Sequence, residues 1–383
     1  MNRLNYFVLP LLLALGCSGG GGTNATMTGG NGTLTLALGS DSQTDWSEIV
    51  VGVEKVEVST NGTTWSTIAT PQTTGNLMAL QNGFEKTLAN KVILAAGTYT
   101  VRVTWATTNY ADISRREAYA VSPSSAVSLL TMPPTTTFQG SIQVTSSAES
   151  LGFLMIDAAR ALQSYPKLGG GTEVLFQPHP ELIPAATSGD IEGQVMAAGL
   201  VGAGQEVLAE VVDGALVPRV RRRATTDSNG YFLMRGLPVG QVYLVCMPTG
   251  TTPNTVFPAL GLGPITTLAG GSVRNQNFAF MAGSAQAIGD LQLTVSPVSA
   301  RGITTYADLR QNIPVFAGSA PLVVREGVVS TGATSDQRLF KGLPIGSFGA
   351  NATRLSTPTA TTPAAGLSLV TAGGTTATTL VFP

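Results

Sequence analysis

Few residues of this 383-residue chain could perform acid–base or nucleophilic chemistry. His179 is the single histidine, and it stands between Pro178 and Pro180. A Ser-His-Asp mechanism needs an imidazole that reaches both a nucleophile and an orienting acid, whereas a ring between two prolines at a domain junction is typical of a linker. Few of the 22 acidic residues lie in a motif that would indicate a pair of catalytic carboxylates. The sequence therefore predicts no catalytic residue and a protein that is not an enzyme.

Metal and cofactor sites are not predicted either. One histidine and two cysteines are too few for the nitrogen and sulfur ligands of a transition-metal site. Asp41, Asp45 and Glu48 come closest to a calcium site, but their spacing lacks the loop pattern and the glycine of an EF-hand. Residues 19–22 are glycines without the Lys-Ser/Thr pair of a phosphate-binding loop. We therefore expect neither a metal nor a cofactor.

Tryptophan side chains could bind a sugar, because a flat aromatic ring stacks on a sugar face. The chain has three tryptophans. Trp105 continues the apolar face of a predicted strand, which predicts a place in the core. Trp65 follows the Asn61-Gly62 turn, and Trp46 lies in a polar loop. Trp46 and Trp65 are therefore the candidate ligand contacts, and structural packing is the favoured alternative for both.

Cys17 stands in the most informative pattern of the chain. Before it, Arg3 is the only charged residue and residues 6–15 form an apolar run; after it come Ser18 and four glycines. A membrane span needs about 20 apolar residues, so a run of about half that length is typical of a cleaved signal segment.

This pattern resembles the lipobox of bacterial lipoprotein signal peptides, with Ala14 where a leucine is usual. The resemblance implies cleavage after Gly16 and a lipid on Cys17, through which the membrane is a partner; secretion without a lipid is the alternative. Stable anchoring needs more than one acyl chain, and bacterial lipoproteins carry several. Ser18, in place of Asp, is similar to lipoproteins sent to the outer membrane. We therefore expect a lipid-anchored protein of the bacterial cell envelope, located at the outer membrane.

The composition favours an exported β-protein without an electrostatic partner. Charged residues make up 11% of the chain and the net charge is −1, so the basic face of a nucleic-acid binder is not expected. The one basic cluster, residues 219–223, is interpreted as an exposed edge strand whose charges prevent pairing with other chains. Cys246 lies in a strand pattern and is predicted to be a buried, inert thiol.

Alternation of polar and apolar residues predicts strands almost throughout, and only residues 151–162 are compatible with a short helix. The apolar phase shifts at residues 52–54, which predicts a β-bulge, and Asn61-Gly62 predicts a hairpin turn. Several segments in order resemble the bacterial lipoprotein domain catalogued as domain of unknown function 4382, which has no established activity. Residues 39–42 depart from that family's Asp-Ala-Pro turn. The segments that carry the resemblance are residues 32–36, 50–58, 77–83, 94–99 and 174–178.

The second half of the chain contains two copies of one unit of about 95 residues. Residues 216–219 precede the Gly-Leu-Pro-Val-Gly segment 236–240 by 20 positions, and residues 322–325 precede Gly-Leu-Pro-Ile-Gly 342–346 by the same 20. A period this long predicts tandem domains rather than a solenoid. The first copy resembles the carboxypeptidase regulatory-like domain, a transthyretin-like β-sandwich. Residues 189–195, 226–232 and 235–243 carry that resemblance, whereas the second copy is degenerate at residues 333–338.

Together these patterns predict an all-β protein of tandem β-sandwiches behind a signal peptide and a flexible Gly-rich tether. The predicted segments are a signal peptide at 1–16, a tether at 17–31, a DUF 4382-like domain at 32–180, a regulatory-like sandwich at 187–282 and a degenerate copy at 287–383.

The functional hypothesis is a non-enzymatic binding, adhesion or spacer role in the cell envelope. Similarity of the regulatory-like family to starch-binding sandwiches adds carbohydrate binding as a fold-level analogy, with a glycan or an envelope protein as the partner. The alternative is an accessory subunit or a hydrolase with a cleft in the first domain. That alternative predicts a pocket in which acids or hydroxyls converge, and three carboxylates within hydrogen-bond reach in one cavity would favour it.

Overall fold

The computed structural model describes residues 30–43, 45–106, 118–167, 169–248, 254–315, 320–332, 334–355, 359–362 and 366–382. Strands dominate this part of the chain, together with two short 3-10 helices, Leu77–Ala79 and Ala185–Thr187. The predicted all-β fold of tandem β-sandwiches is confirmed. No helix among the described residues has the length and hydrophobicity to cross a membrane. Cys17 and the predicted signal peptide lie outside the described residues.

The first sandwich has one sheet in the order β14-β11-β1-β5 and a second in the order β10-β6-β2-β7-β8-β13-β12, with β3 and β4 on β2 and β9 on β6. Its strands are β1 Asn31–Ser40, β2 Glu48–Ser59, β3 Ser66–Ala69, β4 Thr73–Asn76, β5 Lys86–Ala95, β6 Gly97–Trp105, β7 Tyr119–Val121, β8 Val127–Thr131, β9 Thr135–Thr137, β10 Ile142–Val144, β11 Glu149–Ile156, β12 Leu162–Pro166, β13 Thr172–Phe176 and β14 Pro180–Pro184.

Two local predictions for this sandwich are confirmed, and the one stretch compatible with a helix contains a strand instead. The register of β2 against β6 shifts between Val53 and Lys55, which is the predicted bulge, and Gly62 has the positive φ that the predicted turn requires. The described residues 151–162, the stretch compatible with a short helix, form no helix and include most of β11. An apolar run fits a buried strand and a buried helix equally, and here β1 and β14 pair with both edges of β11.

The second sandwich pairs the sheet β16-β15-β19, which also holds β23 and β24, with the sheet β18-β17-β20-β22. Its strands are β15 Ser188–Ala197, β16 Leu200–Val201, β17 Glu206–Val212, β18 Pro218–Thr225, β19 Tyr231–Pro238, β20 Gly240–Cys246, β22 Leu260–Thr267, β23 Ser272–Val273 and β24 Phe278–Phe280. Strand β21, Thr255–Val256, lies between β20 and β22 in the chain.

The third sandwich pairs the sheet β21-β25-β29-β28, with β33 on β25, and the sheet β27-β26-β30-β31, with β32 on β30. Strand β21 therefore precedes this sandwich in the chain but belongs to its first sheet. The remaining strands are β25 Gln286–Ser296, β26 Thr305–Gln311, β27 Leu322–Val328, β28 Ser330–Thr331, β29 Asp336–Pro344, β30 Gly346–Arg354, β31 Ala360–Thr361, β32 Ser368–Val370 and β33 Thr375–Val381.

The two copies of the repeat fold onto the same frame. In the second sandwich, Oδ1 of Asp190 accepts a hydrogen bond from the Gly236 N–H at 3.3 Å. In the third, Oδ1 of Asp290 accepts one from the Gly342 N–H at 3.0 Å. Each glycine opens the repeated Gly-Leu-Pro corner with a positive φ, which glycine adopts without strain. A side-chain cap therefore fixes the same corner in both copies.

The second and third sandwiches share a hydrophobic core. Residues of β17 and β20 alternate between two clusters: Val207 and Leu244 face the interior of the second sandwich, whereas Leu208 and Val245 pack with the core of the third. A sheet that is covered on both faces needs apolar residues at every position. This explains the unbroken apolar run at residues 242–247, in which Cys246 is buried.

Candidate functional site at the junction of the three sandwiches

Arg222 and Arg223 lie where the three sandwiches meet. Both are on β18, which is an edge strand of its sheet as predicted. The prediction that this basic cluster is exposed is wrong for these two residues, because they are only 5% and 4% exposed. The first sandwich covers the edge: the Arg223 N–H donates to Oδ1 of Asp41 at 3.3 Å, and the Ser42 N–H donates to the Arg223 carbonyl at 3.3 Å.

Four buried or half-buried charges from three sandwiches form a closed ring of ion pairs. Arg223 of the second sandwich contacts Asp157 of the first at 3.1 Å and Glu326 of the third at 2.6 Å. Arg160 of the first sandwich contacts the same two carboxylates: Nη1 lies 3.1 Å from Asp157, and Nε lies 2.6 Å from Glu326. Each carboxylate is therefore held by two guanidinium groups, and Glu326 is only 3% exposed at its side chain.

Arg222 extends this ring into the first sandwich. Its Nη2 lies 2.8 Å from Glu181, and its Nη1 lies 3.7 Å from Asp41. Arg221 contacts the other oxygen of Glu181 at 2.9 Å, nearer the solvent. We use the name junction cluster for the seven buried or half-buried residues Asp41, Asp157, Arg160, Glu181, Arg222, Arg223 and Glu326.

The electrostatics of the junction cluster favour ionised carboxylates at three positions. Although burial opposes ionisation, Arg160 and Arg223 hold the pKa of both Asp157 and Glu326 below the ordinary value. Arg222 and Arg221 lower the pKa of Glu181 in the same way. Asp41 differs, because burial raises its pKa to about 6 against the opposing attraction of Arg222. Asp41 is thus the member of the cluster that takes up a proton in mildly acidic solution.

His179 lies beside the junction cluster, in the connection between β13 and β14. Its ring hydrogen-bonds the backbone of Arg160, and burial lowers its pKa despite the attraction of Asp157. The Nε2 atom is buried and has no hydrogen-bond partner. The ring is therefore neutral at pH 7. His179 lies at the domain junction, where the sequence predicts a linker residue.

Loop 77–83 of the first sandwich forms hydrogen bonds with the second sandwich. The Asn82 side chain donates to the Thr225 carbonyl at 2.6 Å and accepts the Leu233 N–H at 3.0 Å, so it bridges β18 and β19. Glu85 adds an ion pair of 3.1 Å to Arg235. This loop is one of the segments that carried the family resemblance, and in this chain it docks one domain on the next.

Contacts between the first and third sandwiches are polar as well. Nε2 of the buried Gln163 donates to the Val329 carbonyl at 2.6 Å. Arg338 forms a two-pronged pair with Asp45, at 2.6 and 2.9 Å. Two parallel N–H···O bonds fix orientation as well as distance, so this pair sets the angle between the two domains.

A fully buried carboxyl group marks the interface between the second and third sandwiches. Glu210 of β17 is 0% exposed, and its Oε2 accepts the Val323 N–H at 3.0 Å. Its Oε1 has no hydrogen-bond partner, and the nearby Arg310 is engaged by Asp308 at 2.6 Å. Burial therefore raises the pKa of Glu210 to about 8, which leaves this group protonated and neutral at pH 7.

The tryptophans predicted as ligand contacts lie far apart. Trp46 precedes β2 and packs against the first core. Trp65 adjoins Ser66, which pairs with Val58 at the opposite end of β2. A strand of 12 residues is roughly 40 Å long at about 3.3 Å per residue, so the two rings cannot stack on one sugar. The Arg102 guanidinium lies 4.3 Å above the Trp65 ring.

Trp105 occupies the first core, as the strand pattern predicted. It is 3% exposed, its Nε1–H donates to Oγ1 of Thr136 at 2.7 Å, and its ring meets Phe176 edge-on at 5.3 Å. A buried indole with a satisfied N–H and an edge-to-face partner is a stable arrangement.

The cavities near these residues differ in size and lining. Beside the junction cluster lies a cavity of only about 20 Å³, next to Asp41 and Glu85. A groove of about 750 Å³ separates β10 and β11 from Ala185–Thr187, and Glu149 is the one carboxylate in its lining. A third cavity, of about 360 Å³, has Asp290 as its one lining carboxylate. None of these three cavities brings together three carboxylates, the arrangement that would favour the hydrolase alternative.

The described residues contain no group of three or more His, Cys, Asp and Glu side chains arranged to hold a metal ion. The junction carboxylates face arginines instead, so their chemistry is that of a structural ion-pair network. Sequence reasoning missed this network. Its one signal was the pair Arg222-Arg223 in a strand, where adjacent residues point to opposite faces and both faces must therefore be covered or solvated.

Comparison with known families identifies the first domain. Residues 31–170 match the family model described as Domain of unknown function (DUF4382). The resemblance predicted for this domain is thereby confirmed. No curated protein matches the chain. Nothing in these comparisons indicates an enzyme family, and the regulatory-like resemblance of the second sandwich stays a prediction.

Solved structures show only a weak likeness to the whole chain. The TIE protein of Bacillus anthracis is 12% identical, over 92% of this chain and 51% of that one, with a TM-score of 0.19. The chain thus spans about half the length of that protein. A streptococcal ancillary pilin is 10% identical over 92% of this chain and 99% of the pilin, with a TM-score of 0.18. Scores this low support no conclusion about fold or function.

Proposed function

We propose that this chain is a lipid-anchored protein of the bacterial cell envelope, at the outer membrane, whose three sandwiches act as one rigid body in spacing or adhesion. The observation that carries the proposal is the junction cluster, which ties all three sandwiches together through buried ion pairs. Among the described residues, the cavity beside this cluster measures only about 20 Å³, which is too small for a substrate. Rigid docking suits a protein that presents a surface at a fixed distance from the membrane.

The anchor is tested on the native protein. We expect a mature chain that begins at Cys17 with added acyl mass and partitions into detergent. Mass spectrometry of the N-terminal peptide measures this, and Cys17→Ser is the matched variant that should stay in the aqueous phase. A native chain that starts at Met1 without acyl mass contradicts the anchor.

The rigid body is tested separately from the anchor. Spin labels on Thr67→Cys in the first sandwich and Lys341→Cys in the third report the distance between the two domains, because both positions are exposed. A single narrow distance distribution supports one body. A broad distance distribution, as expected for domains joined by flexible linkers, contradicts the rigid body.

A second candidate function is recognition of a neutral carbohydrate, and the groove of about 750 Å³ favours it. Hydroxyl and amide groups line the groove, among them Ser141, Gln143 and Thr187. Sugar hydroxyls form hydrogen bonds with such groups, whereas the two tryptophans first considered lie at opposite ends of β2. Binding to a glycan array that Ser141→Ala plus Gln143→Ala abolishes, and that Trp65→Ala leaves intact, supports the groove. No binding to any glycan contradicts this candidate.

A further inference from the structure

Most long edge strands of this molecule are protected against pairing with another chain. An edge strand presents free backbone N–H and C=O groups, and proteins protect such edges with charges, prolines, bulges or a covering segment. Asp41 and Ser42 bond the backbone of β18, and Asn82 bonds that of β19. Glu210 binds the Val323 N–H of β27.

The remaining long edges carry their own protection. Strand β5 contains Lys86 and Lys91, and its register against β1 is broken twice. Strand β22 contains Pro264, which has no N–H to offer. Strand β29 carries Arg338 and Lys341.

Strand β33 has none of these protections. It pairs with β25 in an unbroken parallel register from Thr375 to Val381, and no strand of the described chain pairs with its other side. Its seven residues include no charge and no proline. In the second sandwich, the equivalent edge is divided into the two short strands β23 and β24.

The hydrogen-bonding groups at this free edge follow from the parallel register. The Asp290 N–H donates to the Gly374 carbonyl, and the Phe382 N–H donates to the Ser296 carbonyl. Since residues of a parallel strand bond alternately to either side, the even-numbered residues of β33 face β25. The odd-numbered residues therefore direct their backbone groups outwards, and their side chains are exposed as well: Thr375, Ala377, Thr379 and Val381.

We propose that the free edge of β33 binds the same edge of a second copy of this chain, antiparallel and related by a two-fold axis. A register centred on Thr378 places Ala377 opposite Thr379 of the partner and Thr375 opposite its Val381. All outward backbone groups then find partners. Like charges opposite one another would oppose self-pairing, and this edge carries none. Because a pair of short strands buries less than the roughly 1,200 Å² of a stable interface, the dimer is weak and reversible.

A charge-exchange experiment tests this pairing. It uses the chain from Ser18 onwards, which contains all three sandwiches. Sedimentation equilibrium at rising protein concentration should show a monomer–dimer equilibrium for the wild type. Ala377→Lys with Thr379→Lys places lysines opposite lysines, and we expect association about tenfold weaker or lost. Ala377→Glu with Thr379→Glu should behave in the same way. A mixture of the two variants should associate again, because each lysine then faces a glutamate.

The controls separate edge pairing from other causes. Ala279→Lys is the same change on the equivalent strand of the second sandwich, at an exposed position, and should leave association unchanged. Circular dichroism confirms that each variant is folded, and Thr379→Pro, which removes one outward N–H, provides an uncharged second test. A wild type that stays monomeric at all concentrations, or lysine variants that associate like the wild type, would overturn the proposal.

Discussion

The second and third sandwiches are two versions of one unit, and they differ most where they meet other domains. Both keep the Asp cap on the Gly-Leu-Pro corner. At the position four residues before that corner, the second sandwich has Phe232, which is 0% exposed, and the third has Arg338, which pairs with Asp45 of the first sandwich. The fold that the two copies share therefore depends on the turn residues. Positions between the turns belong to the core in one copy and form contacts between domains in the other.

A second pair of equivalent positions forms contacts between domains in both copies. In the strand registers, Arg223 of the second sandwich and Glu326 of the third occupy equivalent positions, because Leu208 pairs with Arg223 and Asp308 pairs with Glu326. Glu326 is held by Arg160 and Arg223 from the other two domains. The third copy is degenerate in sequence at residues 333–338, which include Arg338, and it nevertheless retains two five-stranded sheets.

Exchanging the two residues four positions before the corner should have the largest effect. Phe232→Arg places a charge in a closed core, and we expect a loss of about 3–5 kcal/mol of unfolding free energy or more. Urea denaturation followed by near-ultraviolet circular dichroism measures this. A loss below about 1 kcal/mol would mean that the position is not part of the frame.

Removing the central carboxylate should be nearly as severe. Glu326→Ala leaves the half-buried Arg160 and the buried Arg223 with Asp157 alone, and breaking a buried pair in this way costs about 3–5 kcal/mol. Glu149→Ala is the control, because its pair with Lys91 is exposed and such pairs contribute about 0–1 kcal/mol. Equal urea midpoints for the two variants would show that the junction cluster does not stabilise the fold.

The interface between the two copies should respond to pH through Glu210. Because burial raises the pKa of Glu210 to about 8, the folded protein holds a proton that the unfolded chain releases above its ordinary pKa. Its contribution to stability is therefore complete below about pH 4.5 and is lost as the pH rises through about 8. Glu210→Gln has a similar shape and is uncharged at every pH. Between about pH 4.5 and pH 8, the unfolding free energy of this variant should therefore increase relative to that of the wild type. Parallel pH profiles for the two proteins would contradict the buried acid.

The smallest effect is expected from the reverse exchange. Arg338→Phe removes an ion pair that is partly open to solvent, with side-chain exposures of 18% and 35%, so we expect a loss below about 1 kcal/mol. The same urea measurement should rank it well after Phe232→Arg. Equal losses of unfolding free energy for Arg338→Phe and Phe232→Arg would show that this position has the same role in both copies.

Much of the fold was accessible from the sequence because strands and turns are local. The alternation in β6, the turn at Asn61-Gly62 and the bulge near Val53 follow from neighbouring residues. The junction cluster is not local: its carboxylates at 41, 157, 181 and 326 come from distant segments. From the sequence alone, Arg222 and Arg223 are interpreted as an exposed edge, because no local pattern shows that another domain covers them.

The central claim is that buried ion pairs and a shared core make the three sandwiches one cooperative unit. Differential scanning calorimetry of the chain from Ser18 onwards tests it most directly. We expect one unfolding transition whose calorimetric enthalpy equals the van't Hoff enthalpy. Three separate transitions in the wild type, each with the enthalpy of a single sandwich, would contradict it.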